Sequence, residues 1–198
     1  MGQGRHREHP APRRLKSTEL PTEDMPLHDP HRRRLTVWCL AAGAAAVTPT
    51  RATALAPAAG TVVLTLTGKV LAPNQVRQAE FDMAMLERLA QTSFTTRTPW
   101  YAQARRFTGP LLRDVLAAAG ASGTQLQLSS LNDYRVTMPV DDALRFDVIL
   151  ARLVDGQPMA VRDKGPLFVI YPFDSHAELR SVVYYSRCAW QLRSIEVQ

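Results

Sequence analysis

The stretch Met159-Ala160-Val161-Arg162-Asp163-Lys164-Gly165-Pro166-Leu167-Phe168-Val169-Ile170-Tyr171-Pro172 sets three charged side chains directly before a Gly-Pro turn and follows them with β-branched and aromatic residues. The apolar run reads as a buried strand, and the turn fixes where Arg162, Asp163 and Lys164 point. Two readings are open. Donors and an acceptor held on rigid backbone at the mouth of a core element suit a flat, hydrogen-bonding ligand. A solvated, charged hairpin tip has the same composition. The neighbouring segments decide between them.

Downstream, Trp190 to Val197 alternates apolar and polar residues and predicts a closing strand, with Trp190 on the same side as Leu192. Upstream, Asp155-Gly156-Gln157-Pro158 is a loop and Asp147 to Ala151 a strand, while Asp141-Asp142-Ala143-Leu144 opens a brief helix whose paired carboxylates suit its N-terminal dipole. Gln125 to Leu128 and Tyr134 to Met138 read as short strands joined by the turn Ser130-Leu131-Asn132-Asp133. Gly109 to Gly120 reads as a capped helix, with Pro in its first turn and Gly just past its end. Before it, Thr92 to Trp100 is a hydroxyl-rich loop ending in a tryptophan. Gln78 to Ala90 predicts a surface helix burying Phe81, Met85, Leu86 and Leu89, and Thr61 to Thr67 a strand with one wet face, ended by Gly68. Strands outnumber helices and follow no regular βαβ order. The expected fold class is therefore α+β, one compact domain of mixed sheet with flanking helices over residues 57–198.

Residues 1–56 stand apart. Residues 1–34 are rich in Arg, His and Pro without apolar periodicity, a composition that builds no core. Arg32-Arg33-Arg34, the apolar run Leu35 to Val47 and the small-residue sites at Ala52-Thr53-Ala54 and Ala54-Leu55-Ala56 follow in the order of a secretory signal. Met25 is an alternative start that leaves a signal of ordinary length. The arginines loosely suit the twin-arginine route, but Leu35-Thr36 replaces its usual bulky pair, and the Sec route is preferred. The expectation is an exported, periplasmic protein that is not embedded in the membrane once the signal is cleaved. The net charge of +6 is concentrated in this segment, where nine basic residues face five acidic ones; the other 142 residues carry fifteen against thirteen. With no basic stripe in the folded part, nucleic acid is not an expected partner. The two cysteines, Cys39 and Cys188, form no Cys-x-x-Cys pair, and no His-x-x-x-His pair exists, so no metal ligands are assigned.

Four landmarks in order carry a family resemblance: Phe107-Thr108-Gly109-Pro110-Leu111-Leu112-Arg113-Asp114-Val115-Leu116; Leu128 to Pro139 followed by Asp155-Gly156-Gln157-Pro158-Met159; Lys164-Gly165-Pro166-Leu167-Phe168-Val169-Ile170-Tyr171-Pro172; and Trp190-Gln191-Leu192-Arg193-Ser194-Ile195-Glu196-Val197. Together they resemble the sulfite-oxidase-type molybdopterin-binding domain across about residues 60–198. The resemblance implies that fold and, in its usual members, a molybdopterin-dependent oxidoreductase whose molybdenum is held by one cysteine thiolate before the "w-x-G" helix. Here that position falls in Ser93-Phe94-Thr95-Thr96-Arg97, without cysteine, and a hydroxyl is a poor substitute for a soft thiolate. Phe168 stands where the family has an arginine, and Tyr184-Tyr185-Ser186-Arg187-Cys188 replaces its Gly-x-Lys loop.

The sequence is similar to a subgroup of small exported proteins of this fold that bind reduced pterins without molybdenum. In that subgroup the loaded protein docks on the periplasmic domain of a membrane enzyme that makes and degrades cyclic di-GMP. A reduced pterin is thus the expected cofactor, and the molybdenum cofactor the alternative. A pterin has a guanidine-like edge that wants a carboxylate or carbonyl, and a carbonyl that wants Arg or Lys. Asp133 or Asp163 could meet the first and Arg162 and Lys164 the second, with Trp100, Tyr134 or Tyr171 stacking on the ring. Asn132 and Asp133 are equally explained as turn formers, Trp100 as a satellite-core plug and Tyr171 as packing. No catalytic residue is assigned. Asp174-Ser175-His176 superficially suggests a hydrolytic triad, but chain neighbours rarely converge in space and no nucleophile elbow exists.

Overall fold

The computed structural model of the protein describes residues 55–198, and the expected signal segment and alternative start at Met25 lie outside them. The first strand, β1 (Val62–Gly68), buries Leu64 and Leu66 completely and leaves its threonines on the other side, as alternation predicts. It pairs antiparallel with β2 (Ala79–Asp82) and parallel with the last strand, β11 (Leu192–Val197). On the far side of β11 lie β5 (Gln125–Ser130) and β6 (Arg135–Pro139), which complete a five-stranded sheet in the order β2-β1-β11-β5-β6. A second sheet runs β3 (Gln91–Thr96), β4 (Arg105–Pro110), β8 (Leu153–Val154) and β9 (Gln157–Pro158). A two-stranded pair of β7 (Ile149–Ala151) and β10 (Phe168–Ile170) is buried at every position. Among the described residues four helices flank the sheets: α1 (Met83–Arg88), α2 (Leu112–Ala118), α3 (Val140–Arg145) and α4 (Val182–Arg187). The architecture is α+β, as expected. No helix among the described residues is long and apolar enough to cross a membrane.

Three local expectations are corrected. The helix expected over Gln78–Ala90 is half strand, because Ala79 and Phe81 face the core at a period of two against β1. Asp82 then starts the helix: its Oδ1 accepts the Met85 N–H at 2.8 Å while its Oδ2 accepts the N–H groups of Ala59 and Gly60. The loop expected over Thr92–Trp100 is mostly β3, paired with β4 over six residues, since threonine fits a pleated, half-buried surface once a partner strand arrives. Helix α2 starts at Leu112 rather than Gly109. Gly109 belongs to β4, where a Cβ would collide with the Leu150 carbonyl.

The quoted central stretch folds around a short 3₁₀ turn, Val161–Asp163, ended by Lys164 in the left-handed region at φ 75°. Gly165 is buried there with its N–H on the Ala160 carbonyl, and any Cβ would strike the Met159 backbone. The Lys164 carbonyl accepts from Gln191 N–H at 3.0 Å, and the Gln191 side chain donates to the Val161 carbonyl at 2.7 Å. These bonds tie the turn to the start of β11. Leu167 to Tyr171 then runs through the core fully buried. Burial of each such side chain is worth about 1.5–3 kcal/mol, so the strand anchors the turn rather than the reverse.

Candidate functional site

Helix α4 and the segment after β3 face each other across two adjoining clefts. One, of about 330 Å³, is lined by Pro99, Trp100, Tyr134, Val182, Tyr185, Ser186, Cys188 and Trp190. The other, of about 370 Å³, is lined by Arg97, Thr98, Pro99, Asp174, Arg180 and Tyr185, so that Pro99 and Tyr185 form the wall common to both.

The first cleft is aromatic. Trp100 is half-buried, its ring edge-on to Phe168 at 5.6 Å, Trp190 at 5.7 Å and Tyr185 at 6.2 Å. Tyr134 lies parallel to Trp190, 9° between planes and 6.4 Å between centroids, and its hydroxyl donates to the Ser186 carbonyl at 2.6 Å. That bond links the start of β6 to α4. The Lys164 ammonium rests 5.7 Å from the Trp190 ring and 5.2 Å from that of Tyr101, held by cation–π attraction. Such walls stack on a planar heteroaromatic ring.

The second cleft is polar, and its geometry starts in β3. Thr96, almost fully buried, accepts the Asp174 N–H on its Oγ1 at 3.0 Å. Asp174 in turn accepts the Arg97 backbone N–H on Oδ2 at 2.8 Å and the Arg180 guanidinium on Oδ1 at 3.1 Å. Arg180 also donates from Nε to the Phe173 carbonyl. The end of β3 and the segment after β10 are thereby stapled together, and the Thr98 hydroxyl accepts the Trp100 N–H in the turn between.

Beneath α4 lies a buried polar group. Tyr171 donates its hydroxyl to Asp142 Oδ2 at 2.7 Å, and Arg187 donates to the same oxygen at 2.7 Å. Burial and the adjacent Asp142 carboxylate hold the Tyr171 phenol far above its usual range. Cys188 caps the helix, 2% exposed, with Sγ 3.6 Å from the Tyr184 carbonyl. Burial pushes its thiol well above the usual range.

Of the expected binding residues, the structure gathers Trp100 and Tyr134 in one cleft and sets Lys164 against Trp190 beside them. Tyr171 is corrected: it is fully buried, engaged with Asp142, and lines neither cleft. Asn132 accepts the Tyr134 N–H at 3.2 Å, and Asp133 takes φ 61° with its side chain 83% exposed, 3.8 Å from Arg193; both form the turn that presents Tyr134. Arg162 and Asp163 pair with each other at 3.4 Å, their side chains 88% and 66% exposed. Sequence reading missed Trp190, Tyr185, Val182, Arg97 and Arg180 as wall residues. Helix α4 gave no signal because it is six residues long and opens with two valines.

Among the described residues no cluster of His, Cys, Asp or Glu has metal-binding geometry. The sequence profile described as the oxidoreductase molybdopterin binding domain matches residues 61–177. It spans β1 to the segment after β10 and ends short of α4 and the closing strand. No curated protein matches the chain.

Proposed function

Because this chain belongs to the oxidoreductase molybdopterin binding domain family, we propose that its aromatic cleft binds a reduced pterin and that it works outside the cytoplasm as a non-catalytic binding protein. The observation that carries this reading is the wall of Trp100, Tyr134 and Trp190, with Tyr134 and Trp190 parallel, in a cleft of about 330 Å³. Trp100 and Tyr134 stack on the ring. Ser186 and Thr98 are at hand for its polar edges, with Lys164 beside Trp190 as the nearby cation.

The donor set fits a pterin better than a thiolate-held molybdenum. Cys188 reaches the cleft wall, but it is only 2% exposed, its sulfur faces the Tyr184 carbonyl at 3.6 Å, and it sits at the end of α4 rather than in the segment where the family's thiolate is expected. Thr96, at the end of the segment where the family's thiolate is expected, is spent on Asp174. A bound pterin would supply a redox-active ring whose state can be sensed; this chain's part is to hold it and exclude water from its faces.

The second half of the proposal is relay by contact to the periplasmic domain of a membrane enzyme of cyclic di-GMP turnover. Val182 and Val183 support it: they are 81% and 54% exposed on α4, and Val182 also lines the cleft. A ligand and a docked partner would share that residue. The test is extraction of protein recovered from the periplasm. A fluorescent, metal-free pterin at about one equivalent supports the reading; stoichiometric molybdenum overturns it in favour of a molybdopterin-dependent oxidoreductase.

A further inference from the structure

A third cleft, of about 470 Å³, opens between the starts of β1 and β11 and shares no lining residue with the other two. Both strands slip register there. Val62 pairs with Asp82 and Leu64 with Phe81, which leaves Val63 as an extra residue on β1; Leu192 pairs with Ser130 and Ser194 with Ser129, which leaves Arg193 as an extra residue on β11. A bulge residue falls out of the ladder and bends its strand. The parallel pairing of β1 with β11 accordingly opens only at Thr65 and Ser194, and Val63 and Arg193 line the gap before it.

Three exposed aliphatic side chains converge on this gap from separate segments: Val62 at the start of β1, Leu131 in the turn between β5 and β6, and Val161 in the 3₁₀ turn. One exposed aliphatic is ordinary, but three over a single cleft mark a contact surface. Gln191 holds the walls in place. In the left-handed region at φ 53°, it donates its N–H to the Lys164 carbonyl at 3.0 Å, accepts the Leu131 N–H at 2.9 Å and donates from its side chain to the Val161 carbonyl at 2.7 Å. Both apolar turns are fixed by one residue, so the cleft is preformed and costs little to order on binding.

We infer that this cleft binds an extended segment of a partner protein, laid along β1 before Thr65 with an aliphatic side chain between Val62, Leu131 and Val161. The inference is independent of the pterin reading. A strand edge without its neighbour offers backbone amides, and an extended peptide brings both the amides that answer them and side chains for the apolar wall. A purely apolar small molecule would leave those amides unmet. The rim sets what flanks the anchor. Arg193 and Arg162 are matched by Asp133 at 3.8 Å and Asp163 at 3.4 Å. Arg135, in the row Thr65, Ser194, Ser129, Arg135 across the sheet, makes no ion pair with another described residue. The excess of one guanidinium favours a segment that carries a carboxylate beside its aliphatic anchor.

The test selects random linear peptides displayed on phage against the full chain, then titrates the enriched sequence, synthesised with a fluorophore, by anisotropy. The expected sequence places an aliphatic residue beside Asp or Glu. Val161→Asp and, separately, Leu131→Asp should each weaken its binding by about tenfold, the loss of an anchoring contact, with thermal unfolding showing that each variant is folded. Methylating the backbone nitrogens of the peptide should also weaken binding by about tenfold, because it removes the main-chain bonds to β1. The inference is overturned if no sequence is enriched beyond what the doubly substituted Val161→Asp, Leu131→Asp protein retains. Equal affinity of wild type and both single variants overturns it by placing the peptide elsewhere. Unchanged affinity on methylation overturns it too, and assigns the cleft to a small apolar ligand instead.

Discussion

Helix α4 has two sides that the same six residues serve in opposite ways. Its inner side carries Arg187 onto Asp142, beneath which the Tyr171 hydroxyl completes a buried network. Its outer side carries Val182, Tyr185 and Ser186 to a cleft whose opposite wall is Pro99 and Trp100. The inner contacts are polar but closed, since every buried side-chain nitrogen and oxygen among the described residues has a partner. The outer ones are mostly apolar but open. The pairing teaches that a short helix with little intrinsic stability is held by a desolvated charge pair, leaving its exposed residues free to be chosen for binding.

The largest expected effect is on the inner side. Asp142→Ala leaves Arg187 and the Tyr171 hydroxyl without their acceptor and should destabilise the domain by about 3 kcal/mol, measured by denaturant unfolding. If stability is unchanged, the helix is held by its outer contacts and the contrast fails. Next, Trp100→Ala should weaken pterin binding by about 1–3 kcal/mol in a fluorescence titration, the cost of one lost stacking face. Should it abolish folding instead, Trp100 is a core plug, as its contacts with Phe168 and Phe173 would allow. A smaller split separates neighbours in the central turn. Lys164→Ala should cost about 0.5–1 kcal/mol of stability through its contacts with Tyr101 and Trp190, while Arg162→Ala should fall within about 0.5 kcal/mol of wild type.

A further effect depends on pH and belongs to the N-cap of α1. The N–H groups of Gly60, Met85 and Ala59 hold the Asp82 carboxyl below the usual carboxylate range. Its folded pKa is lower than its unfolded one, so its contribution is fully present above about pH 4 and is lost as the pH falls through the folded value. Asp82→Asn should therefore lower the melting temperature at pH 7 and narrow the gap between variant and wild type near pH 2. A gap independent of pH would show that shape, not charge, matters at this cap.

Much of the framework was legible in the chain. Alternation located β1 and β11, because Leu64, Leu66, Ile195 and Val197 recur at a period of two with polar residues between them, and the turn Ser130 to Asp133 located β5 and β6 on either side of it. The landmark order located the family as well, and the matched profile covers three of the four segments that carried it. The misreadings share a cause. Residues Ala79–Asp82 have the composition of a helix start and Gln91–Thr96 that of a loop, and each became a strand only because β1 and β4 supply its hydrogen-bond partners.

Residue by residue, the site divides the same way. Trp100 and Tyr134 could be named as stacking candidates because large aromatics flanked by polar residues are rarely idle at a surface. Whether Tyr171 packs or stacks stays open in the sequence, since its fate depends on Asp142, twenty-nine positions earlier on α3. The link from the Arg97 backbone through Asp174 to Arg180 was not readable either, since it rests on Thr96 and Asp174 meeting across seventy-eight positions. Composition and local period determined which segments are buried and that the chain is α+β, because burial follows from the solvent preference of each side chain alone. Which polar groups share a cleft was decided only by the tertiary structure, because side chains distant in sequence meet only after the sheets have closed around one core.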